Sequence, residues 1–158
     1  MIAGDNIERA RRFAMLVAEA VRPLVGVEAR FFGFTDSSIY DAGDAQDCDI
    51  TGLVAGGGNN DAAALHHAAN VAAASQKRAK VLVMISDGLP TACSVEALRG
   101  LVTTLTRRKG VVCAQVAVRK LEEECFPHHV VLDDAQPDVA VARFGRMIAD
   151  LARRGLAQ

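Results

Sequence analysis

Apolar residues recur at Ile7, Ala10, Ala14, Val17 and Val21. That spacing predicts an amphipathic helix. Asp5 supplies an N-cap, and Glu8 three residues later matches a capping box. Pro23 ends the helix, because the residue before a proline avoids the α region. The pattern then changes. Residues 27–34 form an apolar, aromatic-rich run that predicts a buried strand. Thr35-Asp36-Ser37-Ser38 is turn chemistry, and Ile39-Tyr40 opens a short antiparallel partner.

Residues 41–59 are polar and glycine-rich and predict a long loop, with a short strand or turn over residues 50–53. Asn60 or Asp61 caps an alanine-rich helix running to about Ser75. Residues 81–85 are continuously apolar and of strand length, and Ser86-Asp87-Gly88 ends them. Ser94 caps a further helix with Leu98, Leu101, Val102 and Leu105 on one face and Gly110 as its stop. Residues 111–118 and 130–132 predict two more strands, and Pro137 opens a last helix with Val141, Phe144, Ile148 and Leu151 inward. Strands alternating with helices after a first hairpin imply an α/β domain. Its sheet is mostly parallel, with helices on both faces and right-handed crossovers.

A chain of 158 residues, 51% hydrophobic and 23% charged, suits one folded domain spanning residues 1–158. A net charge of −1 gives no field to draw nucleic acid or an anionic membrane. The basic run Arg107-Arg108-Lys109 fits a helix C-terminus. Cys48, Cys93, Cys113 and Cys125 show neither CxxC pairs nor a secreted disulfide framework. No signal-peptide pattern or membrane-length apolar run appears, so a cytoplasmic location is expected.

In open parallel sheets, ligands bind beyond the carboxyl ends of the strands. Asp87 stands there directly after a buried strand, and Gly88 permits a sharp turn or a close ligand approach. A turn cap ahead of Pro90 is the alternative reading. Gly56-Gly57-Gly58-Asn59-Asn60-Asp61 opens a helix. No Gly-Lys-Ser/Thr follows, so it is not a Walker loop. Its amides and carboxylate are oxygen ligands of the kind a hard cation such as Mg²⁺ takes. A plain loop and N-cap is the alternative.

With these segments in place, the chain resembles a von Willebrand factor A-type domain. The resemblance lies in Phe31-Phe32-Gly33-Phe34-Thr35-Asp36, in Gly57-Gly58-Asn59-Asn60-Asp61, and in the run from Val81 through Ser86-Asp87-Gly88-Leu89-Pro90. It is most similar to the bacterial branch found beside AAA+ ATPases, including the cobaltochelatase CobT type. The resemblance implies a three-layer, Rossmann-like fold and a metal-ion-dependent adhesion site. In that site, loops carrying Asp-x-Ser-x-Ser, a threonine and an aspartate hold Mg²⁺ or Mn²⁺, and a partner's carboxylate completes the octahedron. Asp87 matches the third loop, and Asn60, beside Asp61, falls where the threonine is expected. The first loop and its strand have no counterpart, so the domain is expected to be incomplete at its N-terminus. Burying three or four large side chains on such a strand is worth about 5–10 kcal/mol, comparable to a domain's whole net stability of about 5–15 kcal/mol. Three outcomes meet that gap: the natural protein continues upstream, the neighbouring strands close it by direct pairing of the 27–34 strand with the 81–85 strand, or another chain supplies a strand.

The resemblance thus implies a non-enzymatic protein-interaction module, with an AAA+ ATPase subunit as partner and an oligomer permitted. Asp87, Asn60 and Asp61 are its expected metal residues. Asp36, Asn59, Gly88 and Thr91 are its expected contact residues. A metal-independent scaffold is the first alternative. Zinc at Cys125, His128 and His129, or a Cys–His nucleophile pair drawn from Cys93 or Cys125, are the others.

Overall fold

The structure is a computed structural model and describes residues 5–52, 58–132 and 137–156. In chain order its elements are α1 (Asp5–Val21), β1 (Arg30–Phe34), β2 (Ile39–Asp44), a 3₁₀ turn (Ile50–Gly52), α2 (Asp61–Ala74), β3 (Lys80–Ser86), α3 (Val95–Lys109), β4 (Val111–Ala117), β5 (His128–Val131) and α4 (Pro137–Leu156). The expected alternation of strands and helices holds. The parallel sheet β3-β4-β5 is flanked by helices in a Rossmann-like arrangement.

Local chemistry sets the helix ends. The Asn60 side chain accepts the Ala63 amide at the start of α2. Ser94 Oγ does the same for Ala97 at the start of α3 (3.0 Å). Gly110 ends α3 in the left-handed conformation, at φ 64°. There a Cβ would cost energy in any backbone so folded. Ser94→Ala is expected to cost about 1 kcal/mol, the usual worth of an N-cap, read as a lower urea midpoint with an unchanged slope.

Two layers sandwich the sheet. Leu82, Met84 and Cys113 face α2 and α3, packing with Leu65, Leu98, Val102 and Phe126. Val116 and Ile85 face the opposite layer, where Phe13 of α1 meets Phe144 of α4 edge to face, with centroids 4.8 Å apart. Strand alternation sends successive side chains to opposite layers.

Three sequence expectations are corrected, at β1, β2 and β5. β1 begins only at Arg30, and Val27 lies exposed in the irregular segment before it. β2 extends to Asp44, which stands opposite Arg30 in a pair whose register shifts between Phe31 and Phe32, and the Arg30 guanidinium forms an ion pair with Asp41. Of the two readings of residues 50–53, strand or turn, the structure takes the turn, a 3₁₀ helix over residues 50–52, and Ile50 packs under Ala14 and Ala18 of α1. β5 starts two residues early, at His128. Residues 1–4, 53–57 and 133–136, including Gly56 and Gly57 of the expected loop, lie outside the described residues.

β1 does not pair with β3. β1 and β2 form their own antiparallel sheet, separate from β3-β4-β5. The direct closure that would have filled the gap is not what the fold adopts.

Candidate functional site

Three loops meet beyond the carboxyl ends of β1 and β3. The Asn60 amide donates to the Thr35 carbonyl (3.3 Å), tying the α2 entrance to the turn after β1. The amides of Thr91 and Ala92 both donate to the Asn59 carbonyl, at 3.1 and 3.0 Å. The Asn59 amide in turn donates to Thr91 Oγ1 (2.8 Å), whose hydroxyl lies 3.3 Å from Asn59 Oδ1. A Cβ added at Gly58 would fall 2.5 Å from Thr91 Oγ1 and 3.4 Å from the Asp36 Cβ. Glycine at 58 is therefore needed for the loops to close, and the sequence signal for it was the glycine run itself. Asp36, Asn59, Asp61, Gly88 and Thr91 come to one edge, as does Asp87.

The centre of this edge is acidic and buried. Asp61 has no exposed surface, and Asp87 is 9% exposed. Asn59 Nδ2 donates to Asp61 Oδ1. Asp61 Oδ2 is buried without a hydrogen-bond partner. Burial pushes the Asp61 carboxyl above its ordinary range, and the Asp87 charge adds to this, while the Asn59 bond opposes it. The Asp87 carbonyl accepts from Arg119 Nε, which holds the β3 end against the β4 end.

Asn60 is placed differently from Asp61. Its Oδ1 accepts the Ala63 amide (3.0 Å) and is engaged as the α2 cap. The position one residue on supplies the inward oxygen. An asparagine before an aspartate at a helix start presents two capping choices to a sequence reading. Only packing decides which side chain turns in. Sequence reasoning also missed Gln115, whose Nε2 donates to the buried Ser86 Oγ (2.7 Å) one residue before Asp87.

The cysteine and histidine candidates do not converge on a metal. Among the described residues no group of three or more His, Cys, Asp or Glu side chains is placed to hold one. Cys125 is buried, which pushes its thiol up. Cys113 is pushed up to about 11 by burial. His129 contacts Glu124 (3.3 Å) and the Phe126 carbonyl (3.3 Å).

The fold and edge define an open α/β domain with an acidic, loop-built site at its strand ends. No protein-family model matches the chain, and no curated protein matches it. Among solved structures it is similar to an aerotolerance-related membrane protein from Bacteroides fragilis, at 13% identity and a TM-score of 0.48. The likeness covers 71% of this chain and 56% of that one, so the chain spans little more than half of its length. No helix among the described residues is long and apolar enough to cross a membrane.

Proposed function

We propose that this chain is a von Willebrand A-type interaction module whose contact edge is built from Asp36, Asn59, Asp61 and the loop from Asp87 to Thr91. The observation that carries this reading is Asp61. A carboxylate with no exposed surface and one oxygen without a partner is costly unless something charged meets it. A divalent cation between Asp61 and Asp87 would supply that charge. Mg²⁺ is commonly held by one or two carboxylates and keeps several waters, so two aspartates suit it. Neutral oxygens of Asn59 and Thr91 stand beside them. The metal would present a Lewis-acidic face to a partner's carboxylate. Gly88 and Asp36 would line the rim that the partner meets. Family resemblance alone points to an AAA+ ATPase subunit as the partner.

The engagement of Asn60 as a helix cap, with no third carboxylate in reach among the described residues, favours a second reading. In that reading the domain is a metal-independent scaffold. Titration calorimetry with Mg²⁺ and Mn²⁺ separates the two. Saturable binding to the wild type, weakened at least tenfold in Asp87→Ala, is expected if the metal reading holds. Absence of binding in the wild type leaves the scaffold.

A further inference from the structure

Four cationic side chains line one cavity at the carboxyl ends of β4 and β5. Its volume is about 440 Å³, and the four are Arg9 of α1, Arg119 and Lys120 just past β4, and Arg143 of α4. That size falls in the range of ligand clefts, roughly 300–1,000 Å³. The fold places each cation. The Val118 amide donates to the Ser86 carbonyl (2.9 Å), and the Leu132 amide donates to the Ala117 carbonyl (2.8 Å). These bonds continue the parallel pairing past the strand ends, so the sheet carries the residues that follow. Arg9 lies one turn before Phe13, and Arg143 immediately precedes Phe144. The contact between those rings sets α1 beside α4, and both arginines reach the cavity. Arg9 Nη2 donates to the Leu132 carbonyl (3.0 Å), which fastens α1 to the end of β5.

Arg119 joins this cavity to the acidic edge. Its Nε donates to the Asp87 carbonyl, and a Cβ added at Gly88 would lie 3.3 Å from its Nη2. A carbonyl is neutral, so this bond fixes the guanidinium and leaves its charge. Lys120 and Arg143 are exposed. The whole chain carries a net charge of −1, so the positive potential here is local. Cations gathered around a concave surface attract a complementary anion and steer its approach. The neighbouring edge narrows the choice of anion. A polyphosphate backbone laid across both regions would meet Asp61 and Asp87. A peptide can set its acidic side chains on the basic side alone. Val131 and Leu132 add an apolar wall that suits the methylenes of a glutamate.

We infer that the cavity formed by Arg9, Arg119, Lys120 and Arg143 receives the acidic side chains of a glutamate- or aspartate-rich segment of a protein partner. These are additional to the single carboxylate that a cation at Asp61 and Asp87 would take. A protein as the occupant rests on the reading of the chain as an interaction module. The cavity itself needs no metal.

The test is fluorescence anisotropy of a fluorescein-labelled peptide of alternating Glu and Gly, titrated with the full chain in about 50 mM salt. EDTA is present, so the outcome does not depend on the proposed cation. Saturable one-to-one binding is expected, weakened about fivefold or more at about 300 mM salt and absent when Gln replaces Glu. Lys120→Glu combined with Arg143→Glu is expected to weaken binding about tenfold or more. Arg108→Glu combined with Lys109→Glu makes the same change of charge at the opposite end of β4 and should leave binding within about twofold. Amide NMR shifts in the wild type are expected at residues 118–120 and 131–132, and this mapping decides even if a variant fails to fold. Four results overturn the inference: no saturable binding at millimolar peptide, equal loss in the two double variants, shifts confined to other segments, or tighter binding of a single-stranded oligonucleotide of the same charge. A failed peptide titration beside saturable Mg²⁺ binding removes the acidic-segment cavity and keeps the module reading.

Discussion

Asp61→Asn is expected to raise the melting temperature in magnesium-free buffer and to remove any stabilisation by magnesium. The native carboxylate is fully buried, with Oδ2 unpartnered and Asp87 nearby. An unsatisfied buried polar group costs about 1–3 kcal/mol, and more when charged. Asparagine keeps the shape, removes the charge and can still accept the Asn59 Nδ2 hydrogen bond through its own Oδ1. A gain of about 1–3 kcal/mol corresponds to roughly 2–12 °C for a chain of this size. The pH dependence has a definite sign. Asp61 has a folded-state pKa raised above 3.8. The folded protein therefore holds this proton more tightly than the unfolded chain, and the penalty of the charge is absent below 3.8. Stability falls as pH rises through the raised value. The advantage of Asp61→Asn should thus be largest near neutrality and shrink as pH drops toward 4. Urea melts across that range measure it. If the proposed cation site holds, Mg²⁺ at about a hundred times its dissociation constant should stabilise the wild type by about 2.7 kcal/mol through mass action, and Asp61→Asn should gain far less. A variant less stable than wild type at neutral pH would contradict the reading of Asp61 as a buried charge held at a net cost.

Phe126→Ala is expected to be the most damaging single truncation outside the helices and strands. Phe126 is 1% exposed although it lies in the irregular segment between β4 and β5. It packs into the layer of Leu98, Val102 and Cys113, plugging the space between α3 and the sheet. Phenylalanine-to-alanine changes in cores cost about 3–5 kcal/mol through lost transfer energy and the cavity left behind. The melting temperature should drop by roughly 6–20 °C. Val25→Ala, at a fully exposed turn position, is the matched control and should stay within about 0.5 kcal/mol of wild type. Guanidinium or urea melts suffice, and a loss below about 1 kcal/mol for Phe126→Ala would show that the segment docks loosely.

These two residues mark how differently fold and site were written in the chain. Asp87 was legible because an apolar run of strand length stops at it and Gly88 follows. Asp61 was legible only as one of two adjacent capping candidates. Its placement follows from Asn60 Oδ1 taking the Ala63 amide, which leaves the next side chain facing inward. Phe126 was not singled out, lying between the metal candidates Cys125 and His128, since no periodicity extends over residues 119–127. Burial there comes from α3 lying over the segment, a contact between residues distant in sequence.

The sequence by itself determined the order and kind of the elements, the caps at Asn60 and Ser94, the stop at Gly110 and the placing of Asp87 at a strand end. Each depends on neighbours within a turn or a strand, where backbone sterics and side-chain period act directly. Tertiary structure alone decided that Asp61 rather than Asn60 points inward, that Gly58 must be small to admit Thr91, and that β1 and β3 stay apart. Those depend on which distant surfaces meet, and strand pairing in particular is set by helices packing across both sheets, which no local pattern encodes.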